Sequence, residues 1–255
     1  MDDKTILRIE EKFLISPAEK DELLSRVQKH LEKDEYFKEE VLSLYFDTKN
    51  YNLAINSIER PAFREKIRVR SYNTPKLSSP VFFEIKSKYA AKNKKKLGNK
   101  RRLVIPLQSC YDFFEHGADL EAIAARASDN NPKQLQIARE LTYLANFYQL
   151  EPKVLIAADR TAYVDKADKN FRLTFDEHLR FRTNDLRLEH GSRGKRYFNI
   201  TKLDDRHKNI IMEVKTMHAM PPWFVAELSR QKLYPAQFSK YGKIYQTIIE
   251  RNQNV

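Results

Sequence analysis

The chain has 255 residues with 47 basic and 35 acidic side chains, and its formal charge of +12 points to a polyanionic partner: nucleic acid, a phosphorylated metabolite, polyphosphate or anionic lipid. Its single cysteine, Cys110, excludes an intramolecular disulfide and a cysteine-rich zinc site. The charged start and the lack of an apolar run of roughly 20 residues argue against a signal peptide and a membrane span, so we expect one cytoplasmic domain over 1–255.

The first half of the chain is predicted to be mostly β. A first strand covers about 6–15, and the capping-box pattern of Ser16 and Glu19 predicts a helix that continues to about Leu31. Alternation of charged and apolar side chains at a spacing of two residues predicts the next strands. These strands lie at 41–47, 62–72, 81–88 and 100–107.

The second half begins with a helical insert at about 118–150, which lacks alternation and is rich in Ala, Leu, Gln and Glu. Strands are then predicted at 154–164, 171–182 and 209–216, with others around 186 and 198. The end of the chain reads as two helices separated at Pro235. With only 5 glycines, the chain lacks phosphate-binding loops of the P-loop or Rossmann type, so any phosphate site must use side chains.

The predicted strands collect cations on one face. Such a face carries thirteen cations: Arg8, Lys12, Arg64, Lys66, Arg68, Arg70, Lys86, Lys88, Lys100, Arg102, Arg160, Arg172 and Lys215. Only four anions accompany them: Glu10, Glu84, Asp176 and Glu213. A solvated face usually mixes both signs, because like charges directly opposite each other are destabilising. The excess therefore favours a closed antiparallel barrel whose basic lumen takes phosphate chains, over an open sheet with one solvated face.

The minority carboxylates are candidate metal ligands. Mg²⁺ and Mn²⁺ prefer hard oxygen ligands and are commonly held by one or two carboxylates together with substrate phosphates. Glu213, which lies between Met212 and Val214 in a predicted strand, is the strongest candidate for such a ligand. Glu10 and Glu84 are further candidates. For each carboxylate, an ion pair with a neighbouring Arg or Lys is the alternative.

Several short motifs in a fixed order carry a family resemblance. They are R-I-E-E-K-F at 8–13, L-Y-F-D at 44–47, K-I-R-V-R at 66–70, F-E-I-K at 83–86, D-R-T-A-Y at 159–163, F-R-L-T-F-D at 171–176, M-E-V-K at 212–215 and F-S-K-Y at 238–241. Together they resemble the VTC domain, the polyphosphate polymerase domain of the vacuolar transporter chaperone, in the triphosphate tunnel metalloenzyme superfamily. The resemblance covers nearly the whole chain.

The resemblance implies an α+β fold: a closed eight-stranded antiparallel β-barrel, the tunnel, with helices packed outside. It implies that ATP and inorganic polyphosphate are the substrates and that Mn²⁺ or Mg²⁺ is bound from the lumen at Glu213. Phosphate-binding positions matched by the resemblance are Lys12, Arg68, Arg70, Lys86, Lys100, Arg160, Arg172, Ser239 and Lys240. Arg102 and Lys215 lie on the same predicted face and are added as substrate-binding candidates.

Two positions depart from the family pattern. The wider superfamily often begins with E-x-E-x-K, whereas Arg8 here replaces the first carboxylate, which weakens a two-metal triphosphatase interpretation. Gln237 stands where the family motif has a lysine, so one phosphate contact is lost.

The sequence hypothesis is that Lys12, Arg68, Arg70 and Lys86 hold the triphosphate of ATP while other cations align the acceptor chain. Phosphoryl transfer needs positioning and charge compensation rather than a protein nucleophile. The same tunnel could instead hydrolyse triphosphates, or bind polyphosphate or RNA without catalysis. RNA is disfavoured because aromatic residues such as Phe83 and Phe171 fall on apolar faces instead of forming stacking platforms. A membrane partner is left open.

Overall fold

The computed structural model describes residues 9–90, 96–192, 198–199, 208–217 and 219–253. The described strands are β1 (Ile9–Ile15), β2 (Leu31–Asp47), β3 (Phe63–Tyr72), β4 (Pro80–Ala90), β5 (Lys96–Pro106), β6 (Glu151–Asp165), β7 (Arg172–Arg182), β8 (Phe198–Asn199) and β9 (Ile210–Thr216). The described helices are α1 (Pro17–Val27), α2 (Asn52–Glu59), α3 (Leu107–His116), α4 (Leu120–Ala127), α5 (Pro132–Tyr148), α6 (Pro222–Arg230) and α7 (Lys240–Gln253). The predicted α+β class is confirmed.

Helix α1 begins where the capping box predicts. The Oγ atom of Ser16 accepts a hydrogen bond from Glu19 N at 3.2 Å, and the Glu19 carboxylate accepts one from Ser16 N at 2.7 Å. These two bonds satisfy amide groups that the first turn of a helix leaves without partners. The helix ends at Val27, earlier than predicted, because Leu31 already begins β2.

Other predicted elements and boundaries also differ from the structure. Strand β2 starts ten residues before the predicted 41–47, since 31–40 is charged on both faces and shows no clean alternation. Helix α2, which follows β2, and helix α3, which follows β5, were not predicted. The strand predicted around 186 is wrong, because β7 ends at Arg182 and a short 3₁₀ turn at Leu188–His190 follows it. The predicted helical insert contains α4 and α5, and the two terminal helices α6 and α7 flank Pro235 as expected.

Hydrogen bonds join the strands in the order β1-β9-β7-β6-β2-β3-β4-β5, with β8 beside β7. The pairs β1·β9, β7·β9, β2·β3, β3·β4 and β4·β5 are antiparallel. Strands β1 and β5 are the two ends of this order, and no hydrogen bonds close the sheet among the described residues. The closed barrel therefore stays a prediction.

The chain divides into two compact units. Unit 1 comprises Met1–Glu40, Ala158–Arg180 and Asn199–Phe238, and unit 2 comprises Val41–Ala157, Phe181–Phe198 and Ser239–Val255. The expectation of a single domain is left as a prediction. Within the described residues, no helix combines the length and apolar character needed to cross a membrane.

In unit 1 the apolar faces of β1, β7 and β9 form a core with α1 and α6. Buried members of this core include Phe13, Phe175 and Met212 from the strands and Leu23 and Phe224 from the helices. Because side chains alternate across a strand, burial of these residues leaves the neighbouring charged residues on the opposite face of the sheet.

In unit 2 the apolar faces of β2 to β5 form a second core with α3, α4 and α5. Ile67, Phe83 and Leu103 are buried on the sheet side of this core, and Leu120 and Leu141 on the helix side. The strand face opposite this core carries the charges that the sequence pattern predicts.

Candidate functional site

The charged face of β3, β4 and β5 in unit 2, here called the basic face, is built by register. Residues that are directly opposite one another share a face, so three cross-strand rows form. The rows are Tyr45–Arg68–Glu84–Arg102, Lys66–Lys86–Lys100 and Ser43–Arg70–Phe82–Val104. With Arg64 and Lys88, the described side chains of β3, β4 and β5 place eight cations and one carboxylate on this face.

The one carboxylate, Glu84, is fully buried between two arginines. Arg68 donates from Nε and Nη2 to one carboxylate oxygen at 2.9 and 2.7 Å, and Arg102 donates to the other oxygen at 2.9 and 2.7 Å. Lys100 Nζ lies 3.6 Å from the same carboxylate. Burial alone would raise the pKa of Glu84, but the charges of Arg68, Arg70 and Lys100 outweigh it and hold that pKa well below its ordinary value.

These contacts fix two guanidinium groups in position. Arg102 also lies over the ring of Phe82, with its Cζ atom 4.1 Å from the ring centroid, and its side chain is 31% exposed. Arg68 Nη1 donates to Tyr45 Oη at 3.0 Å. An arginine held this way presents its remaining N–H groups in a preset orientation, which suits recognition of phosphate oxygens.

The middle row places Lys66, Lys86 and Lys100 directly across three adjacent strands. Like charges in this arrangement repel one another, and the Glu84 carboxylate, 3.6 Å from Lys100 Nζ, offsets part of that repulsion. Lys100 is 47% exposed, and burial of the rest of its side chain lowers its pKa, although the charge of Glu84 opposes the shift. The row gathers three ammonium groups on one face of the sheet, an arrangement that suits an anion.

The N-terminus of α7 lies beside this row. Ser239 precedes the helix and caps it, since its Oγ atom accepts a hydrogen bond from Gly242 N at 3.1 Å. Lys66 Nζ donates to the same Oγ atom at 2.8 Å. A Cβ atom on Gly242 would lie 3.0 Å from Ile58, so the missing side chain allows α7 to approach α2.

Asp47 connects α7 to α2 and was not singled out from the sequence. Its carboxylate accepts hydrogen bonds from Leu53 N at 2.8 Å, from Ala54 N at 2.9 Å and from the hydroxyl of Tyr241 at 2.7 Å. The ring of Tyr241 stacks on that of Tyr45, with centroids 4.5 Å apart. The start of α7 is therefore anchored to the strand that carries Tyr45.

Unit 1 carries a second charged surface, here called the mixed face, on β1, β9 and β7. Its rows are Lys12–Glu213–Thr174 and Glu10–Lys215–Arg172. Asp176 continues the same face of β7, two residues after Thr174. The mixed face carries acidic and basic side chains in similar numbers, whereas the basic face carries an excess of cations.

Glu213 is the centre of the mixed face. Lys215 forms an ion pair with its carboxylate, and Lys12 Nζ lies 3.8 Å away. Burial would raise the pKa of Glu213, but Lys215, Lys12 and Arg160 hold it well below its ordinary value. The carboxylate is thus ionised and surrounded by cations at neutral pH.

Two arginines predicted to bind phosphate are paired with carboxylates of unit 1. Arg160 donates to both oxygens of Asp176 at 2.7 and 2.8 Å. Arg172 Nε lies 2.8 Å from Asp34 Oδ2 but makes no well-directed hydrogen bond. Burial raises the pKa of Glu39, Asp34 adds to this shift, and Arg160 and Arg172 oppose it. The predicted excess of cations therefore holds on the basic face and not on the mixed face, because 31–40 contributes carboxylates that the sequence count omitted.

The metal-ligand candidates fit a divalent cation to different degrees. Both oxygens of Glu84 accept arginine hydrogen bonds, so this geometry favours its ion-pair alternative. Glu213 fits better, because its partners are lysine ammonium groups that can swing away, and Glu10 lies on the same face. Within the described residues, no three His, Cys, Asp or Glu side chains cluster as a metal site, so a metal here would need phosphate and water oxygens to complete its shell.

The structure brings the predicted site residues together in two groups. Unit 2 holds Arg68, Arg70, Glu84, Lys86, Lys100, Arg102, Ser239 and Lys240, and unit 1 holds Glu10, Lys12, Arg160, Arg172, Glu213 and Lys215. Arg8 lies outside the described residues. Tyr45, Asp47 and Tyr241 were missed, although the first two belong to the L-Y-F-D motif and the third to F-S-K-Y.

Comparison with known families identifies the class of protein. The family model for the VTC domain matches residues 7–249, and the chain belongs to the VTC-domain family. No curated protein matches.

Solved structures similar to this chain are distant. A protein from Pyrococcus horikoshii OT3 is 11% identical, with 94% of this chain and 99% of that chain covered and a TM-score of 0.45. A candidate adenylyl cyclase from Hippeastrum, described as having a dominant triphosphatase activity, is 13% identical, with 91% of each chain covered and a TM-score of 0.45. A candidate adenylate cyclase from Vibrio parahaemolyticus is 11% identical, with 93% and 97% covered and a TM-score of 0.42.

Proposed function

We propose that this chain is a metal-dependent polyphosphate polymerase that transfers the γ-phosphoryl group of ATP to inorganic polyphosphate. The observation that carries the proposal is the lysine row Lys66–Lys86–Lys100 beside the arginine row of the basic face. Such a concentration of fixed positive charge is expected where a chain of phosphates binds. Membership of the VTC-domain family supports polyphosphate as the anion.

The basic face would bind the phosphates. Arg68 and Arg102 are oriented by Glu84, and Lys86 and Lys100 add point charges in the adjacent row. Ser239 and Lys240 offer the capped start of α7, whose helix dipole favours an anion. Together these groups would hold a triphosphate without a protein nucleophile.

The mixed face would hold the metal and contact further phosphates. Glu213 is the residue best suited to a divalent Mg²⁺ or Mn²⁺, with Glu10 on the same face. When bound, the metal would neutralise charge on phosphate oxygens. Lys12, Arg160, Arg172 and Lys215 would exchange their present carboxylate partners for phosphate oxygens.

The transfer balances without water. An oxygen of the terminal phosphate of the acceptor chain bonds to the γ-phosphorus of ATP, the bond from that phosphorus to the β,γ-bridging oxygen breaks, and ADP leaves. The acceptor is one phosphate longer. Arginine and lysine side chains would neutralise the charge that spreads over the transferring group.

The experiment is incubation of purified protein with ATP, Mn²⁺ and a short polyphosphate primer, followed by gel separation and ³¹P NMR. We expect internal-phosphate signals that grow as ADP appears. Lys86→Met should abolish most of this growth, whereas Lys169→Met, in a surface pair with Glu32, should not change it. Release of inorganic phosphate without longer chains would contradict the polymerase proposal and indicate a hydrolase. Binding of polyphosphate without either product would indicate a protein that binds polyphosphate without catalysis.

A further inference from the structure

One buried hydroxyl on the mixed face has no partner. Thr174 is 2% exposed, and its Oγ1 atom makes no hydrogen bond within the part of the chain that the structure describes. A buried polar group without a partner is destabilising, whereas an apolar group of the same shape is not. Threonine is therefore a costly residue at this position unless a ligand satisfies it.

Strand propensity does not account for the hydroxyl. Valine has the same branched shape and an equal or better fit to a strand, so the preference of strands for β-branched residues explains either side chain. What distinguishes Thr174 from a valine is one oxygen that can donate and accept. Strand propensity therefore does not explain why a threonine, with its hydroxyl oxygen, occupies this position.

The position of Thr174 in the sheet suggests a role for the hydroxyl. Thr174 on β7 is directly opposite Glu213 on β9, and Glu213 is directly opposite Lys12 on β1. Directly opposite residues share a face with Cβ atoms about 4.5–5.5 Å apart. Thr174 and the carboxylate residue best suited to a metal therefore share one face of the sheet, which also carries Asp176.

We propose that the Thr174 hydroxyl is the second protein oxygen of a divalent-cation site at Glu213. This inference rests on the metal part of the proposed function and deepens it by naming a residue. The cation takes the place of the ammonium group of Lys215 at Glu213, and the hydroxyl gains the partner that it lacks. Hard oxygen donors of this kind suit Mg²⁺ and Mn²⁺.

The test compares Thr174→Val, Thr174→Ser and Thr161→Val. Thr161 is the matched control, because its Oγ1 atom is also buried without a partner in unit 1. It follows Arg160 on β6 and so lies on the face opposite to the one from which Arg160 reaches Asp176. Mn²⁺ binding is measured by electron paramagnetic resonance, with and without tripolyphosphate, and thermal unfolding is measured without metal.

We expect Thr174→Val to weaken Mn²⁺ binding about tenfold, as loss of a supporting group at a metal site does. Its unfolding temperature without metal should equal or exceed that of the wild type. Thr174→Ser and Thr161→Val should bind Mn²⁺ as the wild type does. Equal binding by wild type and Thr174→Val would overturn this inference alone. Absence of Mn²⁺ binding by the wild type, with or without tripolyphosphate, would overturn it together with the metal part of the proposed function.

Discussion

Arg68 donates from two nitrogen atoms to a single carboxylate oxygen of Glu84, at 2.9 and 2.7 Å. Arg102 holds the other oxygen in the same way. The Glu84 carboxylate thus lies between Arg68 and Arg102 on the basic face. This arrangement holds both guanidinium groups in place on a face with an excess of positive charge.

Replacing Glu84 by glutamine should separate folding from ligand binding. We expect Glu84→Gln to lose about 1–3 kcal/mol of unfolding free energy, because two guanidinium groups lose a charged hydrogen-bond acceptor. Saturating tripolyphosphate should restore more stability to this variant than it adds to the wild type, since the freed cations gain an anion. Chemical denaturation with and without tripolyphosphate measures both effects.

The control for that variant is Glu121→Gln, which removes an exposed partner of Arg139. It should leave the unfolding free energy close to that of the wild type, because an exposed ion pair contributes little to stability. If tripolyphosphate raises the unfolding free energy of the wild type and of Glu84→Gln by the same amount, the role assigned to Glu84 is contradicted.

Acid should destabilise the fold through the same carboxylates. The pKa values of Glu84 and Glu213 lie below the ordinary 4.5 of an unfolded glutamate, so the unfolded chain binds protons first as the pH falls. Their contribution is therefore fully present above about pH 5 and is lost as the pH falls below 4.5 toward the folded values. Urea titrations at pH 7, 5, 4 and 3 should show this loss. The unfolding free energy of Glu84→Gln should fall less steeply with decreasing pH than that of the wild type. An identical pH dependence of the unfolding free energy in both proteins would contradict the contribution assigned to Glu84.

Asp34 should weaken phosphate binding in the wild type. It forms an ion pair with Arg172, so an incoming phosphate must displace it. We expect Asp34→Asn to bind tripolyphosphate several-fold more tightly, about 1 kcal/mol, because the competing charge is gone. Isothermal titration calorimetry measures the affinity. Glu32→Gln removes the partner of exposed Lys169 and serves as the control. A weaker affinity in Asp34→Asn would show that the acid orients Arg172 instead.

The hydroxyl of Tyr241 should stabilise the start of α7. Tyr241→Phe removes the hydrogen bond to Asp47 at 2.7 Å while keeping the ring that stacks on Tyr45. We expect a loss of about 1.5–3 kcal/mol in unfolding free energy, the magnitude for a hydrogen bond to a charged group. Hydrogen exchange should increase at the first turn of α7 more than in β3. Uniform exchange across both would contradict local anchoring.

The sequence predicted strands well where one face is buried. In β3 and β4 the alternation of Ile67, Val69, Phe83 and Ile85 with charged residues follows directly from the core against α3 to α5. The first ten residues of β2 gave no such pattern, so Asp34 and Glu39 were missed as partners of the arginines. Asp47 was missed as well, because its partners at Leu53, Ala54 and Tyr241 include one from the far end of the chain.

A crystal structure with tripolyphosphate and manganese tests the central claim that the basic face binds phosphate chains. The account predicts phosphate oxygens within hydrogen-bond distance of Arg102, Lys86 and Lys100, with Glu84 still held between its two arginines. Tripolyphosphate bound elsewhere on the protein, with these three side chains contacting only solvent, would contradict it.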